Sequence, residues 1–392
     1  MNAKQRDKSC SNSWQGYFSD SAVRRQELNL VRFRGGIAED ARVDLDFGNN
    51  DYLGICRNES ILQPLANATQ LGSAASPALR GYHKQHNQLE SLIAEWCGTE
   101  DALVFSSGYA TNVGVLSCLA QQGDLILSDQ LNHASLIDGC RLSRAQVQIF
   151  PHNDTEFLRK ALEENRDQFA RVLIATESVF SMDGDTAPLK ELSQLSQEFD
   201  CGLVVDEAHA TGVFGSTGCG VLEDLSLPVP PLLKLGTLSK AIGASGGFAA
   251  GSKEAIKHLV NHCRSYIYST ALPIPVAASA CTAINILKSQ HSCRTSLLQA
   301  SQNLRSLLKS AGWHVLEGES PIIPVIIGDE DKCLRLATHL RQQSIYVPAI
   351  RPPTVPQGTS RLRVSLNATH RPEDINRLLE VLASFDDLDC GN

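Results

Sequence analysis

Seven short apolar runs between residues 102 and 251, separated by stretches of mostly helical pattern, constrain this chain more than any other feature. They are ALVF (102–105), LILS (125–128), VQIF (147–150), RVLIAT (171–176), GLVVD (202–206), LLKLG (232–236) and GGFAAG (246–251). Their lengths suit strands, and they do not alternate in polarity, which is the mark of strands covered on both faces. Strands interleaved with helices predict a large, mainly parallel α/β sheet of seven strands. Ligands bind such sheets beyond the carboxyl ends of the strands. Asp206 stands at one of those ends.

Past residue 288 the pattern changes to helix, strand, strand, helix, strand, a Pro-rich loop, strand and helix, with WHVLEG, PIIPVIIG, SIYVP and RLRVSL as the strands. The chain therefore divides into an N-terminal segment (1–45), a large domain (46–287) and a smaller C-terminal α+β domain (288–392). The N-terminal segment is polar, with one helical pattern near 21–33. The most apolar long run, ALPIPVAASACTAINIL (271–287), is interrupted by prolines and polar residues and fits a loop entering a buried helix better than a membrane span. Twelve scattered cysteines without a C-x-x-C spacing indicate reduced thiols rather than a disulfide framework or a zinc site. The opening residues lack a signal-peptide core, so a cytoplasmic protein is expected. A net charge of −8 argues against a broad phosphate-binding surface.

VVDEAHATG (204–212) admits several functions. DEAH could be the magnesium-holding pair of an ATPase, or Asp206 could pair with a cationic ring nitrogen, or the aspartate could simply mark a strand end. An ATPase needs a P-loop, and the chain holds no Gly-Lys dipeptide. GASGG (243–247) matches a nucleophile elbow, but Ser245 precedes a strand instead of joining strand to helix, so a glycine-rich turn is expected. HKQH (83–86) lacks a third metal ligand nearby and suits a structural role. FSSGYATN (105–112) passes from a strand end into a helical pattern, which presents backbone N–H groups to an anion. KLGTLSKAIG (234–243) sets Thr237 and Lys240 on one turn among small residues, a setting for a Schiff-base amine.

Taken in this order, the phosphate-type turn, Asp206 with His209, and Lys240 resemble the fold-type-I pyridoxal-phosphate (PLP) enzymes. FGNNDYLGI (47–55), FSSGYATN, NHAS (132–135), ESVFSMDGD (177–185), VVDEAHATGVFG, GTLSKAIG and IYSTALP (267–273) resemble the sequence blocks of one group among them, the α-oxoamine synthases. These acyltransferases join an amino acid to an acyl thioester with loss of carbon dioxide. AIRPPTVPQGTSRLRVSLNATH (349–370) is similar to the branch that condenses L-alanine with a pimeloyl thioester, carried on CoA or acyl carrier protein, in biotin biosynthesis. A sister enzyme joining glycine to acetyl-CoA is the nearer alternative. Ala210 and Ser239 stand where the family usually has glycine, and GSAASPALRGY (72–82) departs from its usual loop, but no catalytic side chain is replaced.

The resemblance implies roles residue by residue. Lys240 would carry the cofactor and then act as general base, and Asp206 would face the ring nitrogen. His209 would bond the ring hydroxyl, and His133 would stack on the ring beside the substrate carboxylate. Ser178 would touch the cofactor; Gly108, Tyr109 and Thr237 would hold its phosphate. Arg361 would fork onto the amino-acid carboxylate, Thr354 would contact substrate, and Arg32 would meet the acyl end. A homodimer is implied, with IYSTALP crossing to the neighbour's site.

Overall fold

All seven apolar runs form strands, and the seven share one sheet. The computed structural model describes residues 13–27, 30–31 and 43–385. A short strand β1 (Leu45–Asp46) precedes the sheet, whose strands are β2 (Asp101–Phe105), β3 (Leu125–Asp129), β4 (Gln146–Phe150), β5 (Val172–Glu177), β6 (Gly202–Asp206), β7 (Leu233–Thr237) and β8 (Gly247–Gly251). Their order across the sheet is β2-β8-β7-β6-β5-β3-β4. Only β8 runs against its neighbours, pairing antiparallel with both β2 and β7. The other six strands point the same way, so their carboxyl ends form one edge.

β3, β5, β7 and β8 are buried along their whole length, which accounts for their unalternating composition. The covering helices turn apolar stripes inward. Thr155–Asn165 buries Leu158, Ala161 and Leu162, and Asp154 caps it by accepting from the Phe157 N–H at 2.8 Å. Leu189–Glu198 buries Leu189, Leu192 and Leu195, three residues apart. ALPIPVAASACTAINIL becomes the helix Ile274–Lys288, which packs on Lys84–Cys97 and the short helix Glu59–Ala66. Among the described residues no helix is long and apolar enough to cross a membrane.

The second sheet has four strands in the order β12-β13-β10-β9, where β9 is His314–Val315, β10 Ile322–Gly328, β12 Ala349–Ile350 and β13 Ser360–Ser365. The expected SIYVP strand is β11 (Ile345–Tyr346), but it pairs with β1 instead of joining this sheet. A division of the chain at residue 45 therefore passes through a paired strand. WHVLEG keeps only two residues as strand, because its register with β10 ends after Val315.

The described residues from Leu45 onward form one compact unit, and the helix Trp14–Glu27 belongs to a separate one. That helix starts earlier than the pattern near 21–33 implies. Ser13 accounts for the difference: its hydroxyl accepts the Gly16 N–H at 3.1 Å, an N-cap ahead of the apolar pattern.

Candidate active site

The carboxyl edge of the large sheet gathers most of the residues singled out in the sequence. β2 ends at Phe105, and Ser107 caps the helix Gly108–Leu119 by accepting the Ala110 N–H at 3.1 Å. The N–H groups of Gly108 and Tyr109 are left to an outside acceptor at the positive end of a three-turn helix. Glycine at 108 is favoured by contact: a Cβ there would lie 3.2 Å from the Thr237 side chain, which would have to give way slightly. Gly247 closes the same cradle, since its Cβ would come within 2.7 Å of the Gly108 nitrogen. Thr237 ends β7, with its hydroxyl 2.8 Å from the Ser239 hydroxyl. The Tyr109 ring lies half outside, its hydroxyl bonded to Asp138.

Asp206, at the end of β6, is only 4% exposed. One carboxylate oxygen accepts the Asn112 amide at 2.6 Å, and the other accepts the Ala208 N–H at 2.9 Å. Asn112 also donates to the Ser135 hydroxyl at 2.9 Å, which lies 2.7 Å from His133 Nδ1. The His133 backbone N–H donates to Glu177 at 2.6 Å. Ser178, next after Glu177, donates its N–H to the Asp206 carbonyl at 2.9 Å. His209 is buried with Nδ1 2.7 Å from the Tyr52 hydroxyl. Burial first, then the charges of Lys240 and Arg363, push the His209 imidazole well below its ordinary value, so it is neutral. Burial also lowers His133, against the opposing pull of Asp206.

Lys240 sits half-buried after β7 and makes neither a hydrogen bond nor an ion pair with the described residues. Burial lowers its ammonium to about 8, although Asp206 and Glu177 pull it up. Such an amine exchanges a proton readily near neutral pH.

Arg361 and Thr354 lie elsewhere. They line a cavity of about 590 Å³ together with Asn132, Met182 and Asp183, whose walls do not include Lys240 or Asp206. Arg361 is bound to Asp183 at 2.6 Å, and three further donors go to Met182 and Thr359. Arg32 lies outside the described residues. The sequence reading also passed over four side chains that the fold brings to the edge: Tyr52, Asn112, Glu177 and Arg363. Each stands inside a block quoted for its resemblance, and Asn112 is one helical turn from Gly108, so periodicity could have found it. Arg363 could not be told from Arg361 by spacing alone. The decoys resolve as expected. Ser245 is exposed ahead of β8, and His86 bonds the Leu272 carbonyl at 2.7 Å. No metal-holding group occurs among the described residues.

The aminotransferase class I and II family matches residues 42–382. The 8-amino-7-oxononanoate synthase of Marinobacter nauticus is 41% identical over 380 residues, covering 93% of this chain and 95% of the relative. The 8-amino-7-oxononanoate synthase 2 of Bacillus subtilis is 44% identical over 342 residues, covering 86% and 87%. The chain belongs to the 8-amino-7-oxononanoate synthase family. A lysine-to-alanine variant of serine palmitoyltransferase from S. paucimobilis, solved with a bound PLP–myriocin aldimine, superposes with a TM-score of 0.87 at 30% identity, covering 95% of this chain and 98% of that one. The fold of this synthase-family chain is thus fold-type I, with the mainly parallel seven-stranded sheet and the C-terminal antiparallel sheet described above.

Proposed function

We propose that this chain condenses L-alanine with a pimeloyl thioester, releasing carbon dioxide and the thiol carrier and giving 8-amino-7-oxononanoate for biotin biosynthesis, with PLP as cofactor. The observation that carries the reading is the convergence, at one sheet edge, of an unpaired low-pKa lysine, a buried carboxylate and a helix-start anion cradle. These features fit PLP in kind. The cradle at Gly108, Tyr109 and Thr237 suits a phosphate, Asp206 suits a protonated ring nitrogen, and Lys240 suits the aldehyde. When bound, PLP supplies a ring that accepts the electrons left on the substrate carbon.

The chain's own residues supply the rest. Asn112 and the Ala208 N–H hold both oxygens of Asp206 in place. Lys240, neutral in part at physiological pH, takes and returns a proton at its Nζ. Tyr52 orients the neutral His209. Arg363 is 4% exposed, and its Nε donates to the Ser181 carbonyl at 2.6 Å, Nη1 to the Ser365 hydroxyl at 3.0 Å and Nη2 to Asn50 at 3.1 Å. One N–H remains on each terminal nitrogen, a fork within reach of the Tyr52 hydroxyl as well as of a ligand carboxylate. Arg361 has spent its charge on Asp183. We therefore assign the amino-acid carboxylate to Arg363 and leave Arg361 and Thr354 to shape the neighbouring cavity.

The protein works as a cytoplasmic homodimer in this reading, with Ile267–Pro273 of each protomer reaching its partner's site. Exposure of Tyr268 and Thr270, just after the helix Arg264–Ile267, supports that assignment. Turnover with L-alanine or glycine, each paired with pimeloyl-CoA, pimeloyl-acyl carrier protein or acetyl-CoA, tests the whole. 8-Amino-7-oxononanoate should form fastest from alanine with a pimeloyl carrier; faster turnover of glycine with acetyl-CoA overturns the substrate assignment.

A further inference from the structure

Away from the Lys240 edge, the chain assembles a second reactive group that the chemistry above does not use. Cys97 ends the helix Lys84–Cys97, and its sulfur lies 3.3 Å from that of Cys219. Lys234, on β7, places its ammonium 3.0 Å from the Cys219 sulfur and 2.7 Å from the Cys219 carbonyl. The same ammonium lies 2.6 Å from a carboxylate oxygen of Glu207. The turn carrying Cys219 has little room to move. A Cβ on Gly220, at φ +139°, would come 2.3 Å from the Glu207 carboxylate.

A buried ion pair alone would need no sulfur, and an ammonium in the cluster repels a metal ion. What it favours is a thiolate. The hydrogen bond shared between the two sulfurs lowers the Cys219 thiol below its ordinary value against the effect of burial, and Lys234 adds to that shift; Cys97 is raised well above its own. Cys97 is half-buried and Cys219 is 1% exposed, and a small oxidant would reach them through a cavity of about 420 Å³ that both line with Trp96, Leu222, Pro230 and Lys234.

We propose that Cys97 and Cys219 are a peroxide-sensitive site that closes to a reversible intramolecular disulfide, with Cys219 as the attacking sulfur and Lys234 as its counter-ion. The Cys219 thiolate bonds to one oxygen of hydrogen peroxide, the O–O bond breaks, and hydroxide leaves, giving a sulfenic acid. The Cys97 sulfur displaces that oxygen, its proton departing with it as water. With the proton that Cys219 shed earlier, the hydroxide makes the second water. Two thiols and one peroxide become one disulfide and two waters, both sulfurs oxidised and the peroxide reduced. Closure ties the end of the Lys84–Cys97 helix to the turn beyond VVDEAHATG and leaves Glu207 as the anion facing Lys234.

The test treats the full chain with hydrogen peroxide and digests it without reductant. The expected product is a Cys97–Cys219 linked peptide two hydrogens lighter than its parts, lost on treatment with dithiothreitol; exposed Cys56 reports that oxidant reached the protein. In Cys97→Ser, dimedone should label Cys219; in Cys219→Ser, Cys97 should label no faster than the other buried thiols. Lys234→Met should slow formation of the link by at least tenfold. Should that variant fail to fold, the wild-type rate against pH serves instead. It should fall less steeply below pH 8.5 than that of an ordinary thiol, which loses about tenfold per unit. Oxidised Cys56 with Cys97 and Cys219 both still alkylatable overturns the site. Equal dimedone labelling of Cys97 in Cys219→Ser overturns the role given to Cys219.

Discussion

Replacing Arg363 by lysine keeps a positive charge near Lys240 and His209 but removes the fork. In the structure three of the five guanidinium N–H groups are committed to Ser181, Ser365 and Asn50, which fixes the plane and leaves one donor on each terminal nitrogen. A lysine carries its three donors on one nitrogen and cannot reproduce the planar fork that presents two parallel N–H groups to a carboxylate. The loss is one charge-assisted hydrogen bond, about 1.5–3 kcal/mol. That corresponds to a fall of about 10- to 150-fold in kcat/KM for alanine. Arg361→Lys is the comparison, because it disturbs the Asp183 pair at 2.6 Å without touching the fork, and it should cost only a few-fold. Steady-state kinetics with alanine as the varied substrate decides the matter, with thermal melts to confirm that both variants fold. An unchanged kcat/KM in Arg363→Lys, or a larger loss in Arg361→Lys, refutes the assignment.

In protein stripped of cofactor, acylation of Lys240 by acetic anhydride should titrate with a midpoint of about 8. Asp206→Asn should move that midpoint lower, because the carboxylate raises it; a midpoint near the ordinary lysine value of about 10.4 contradicts the burial argument. Burial alone would lower His152, but its hydrogen bonds to Asp129 at 3.0 Å and Asp185 at 2.8 Å carry it up to about 10 from 6.5. A folded value above the unfolded one stabilises fully below pH 6.5 and fades as pH rises through 10, so the stability gap between wild type and His152→Asn should shrink across that window in urea melts. Leu127→Ala, at a fully buried position in β3, should cost about 2–5 kcal/mol in the same melts. A cost well under 1 kcal/mol would mean that the sheet core repacks freely.

The strands and the edge at which ligands gather were legible in the chain itself, because a strand buried on both faces must be apolar throughout; β4, at the sheet's margin and largely exposed, is the exception to that reason. The start of the anion cradle was legible for another local reason: Ser107 and Gly108 follow directly on β2, and a helix cap is set by neighbouring residues, whereas the contact with Thr237 that favours glycine at 108 is not local. The partners of Asp206 and His209 were not local. Asn112 reaches Asp206 across 94 positions and Tyr52 reaches His209 across 157, contacts made only when the sheet sets its loops side by side. Arg361 and Arg363 occupy the same face of β13 with the same side chain, so no pattern along the chain separates them. Their difference is one of place: two residues along the strand, Asp183 neutralises the first, while the second meets only neutral acceptors and keeps its charge for a ligand. The Cys97–Cys219 contact is of the same kind, since two scattered thiols become a pair only when a helix end and a turn are brought within reach of Lys234. Periodicity and local propensity act over a few residues and are written in the sequence; which charges meet is decided by packing, and only the tertiary structure carries it.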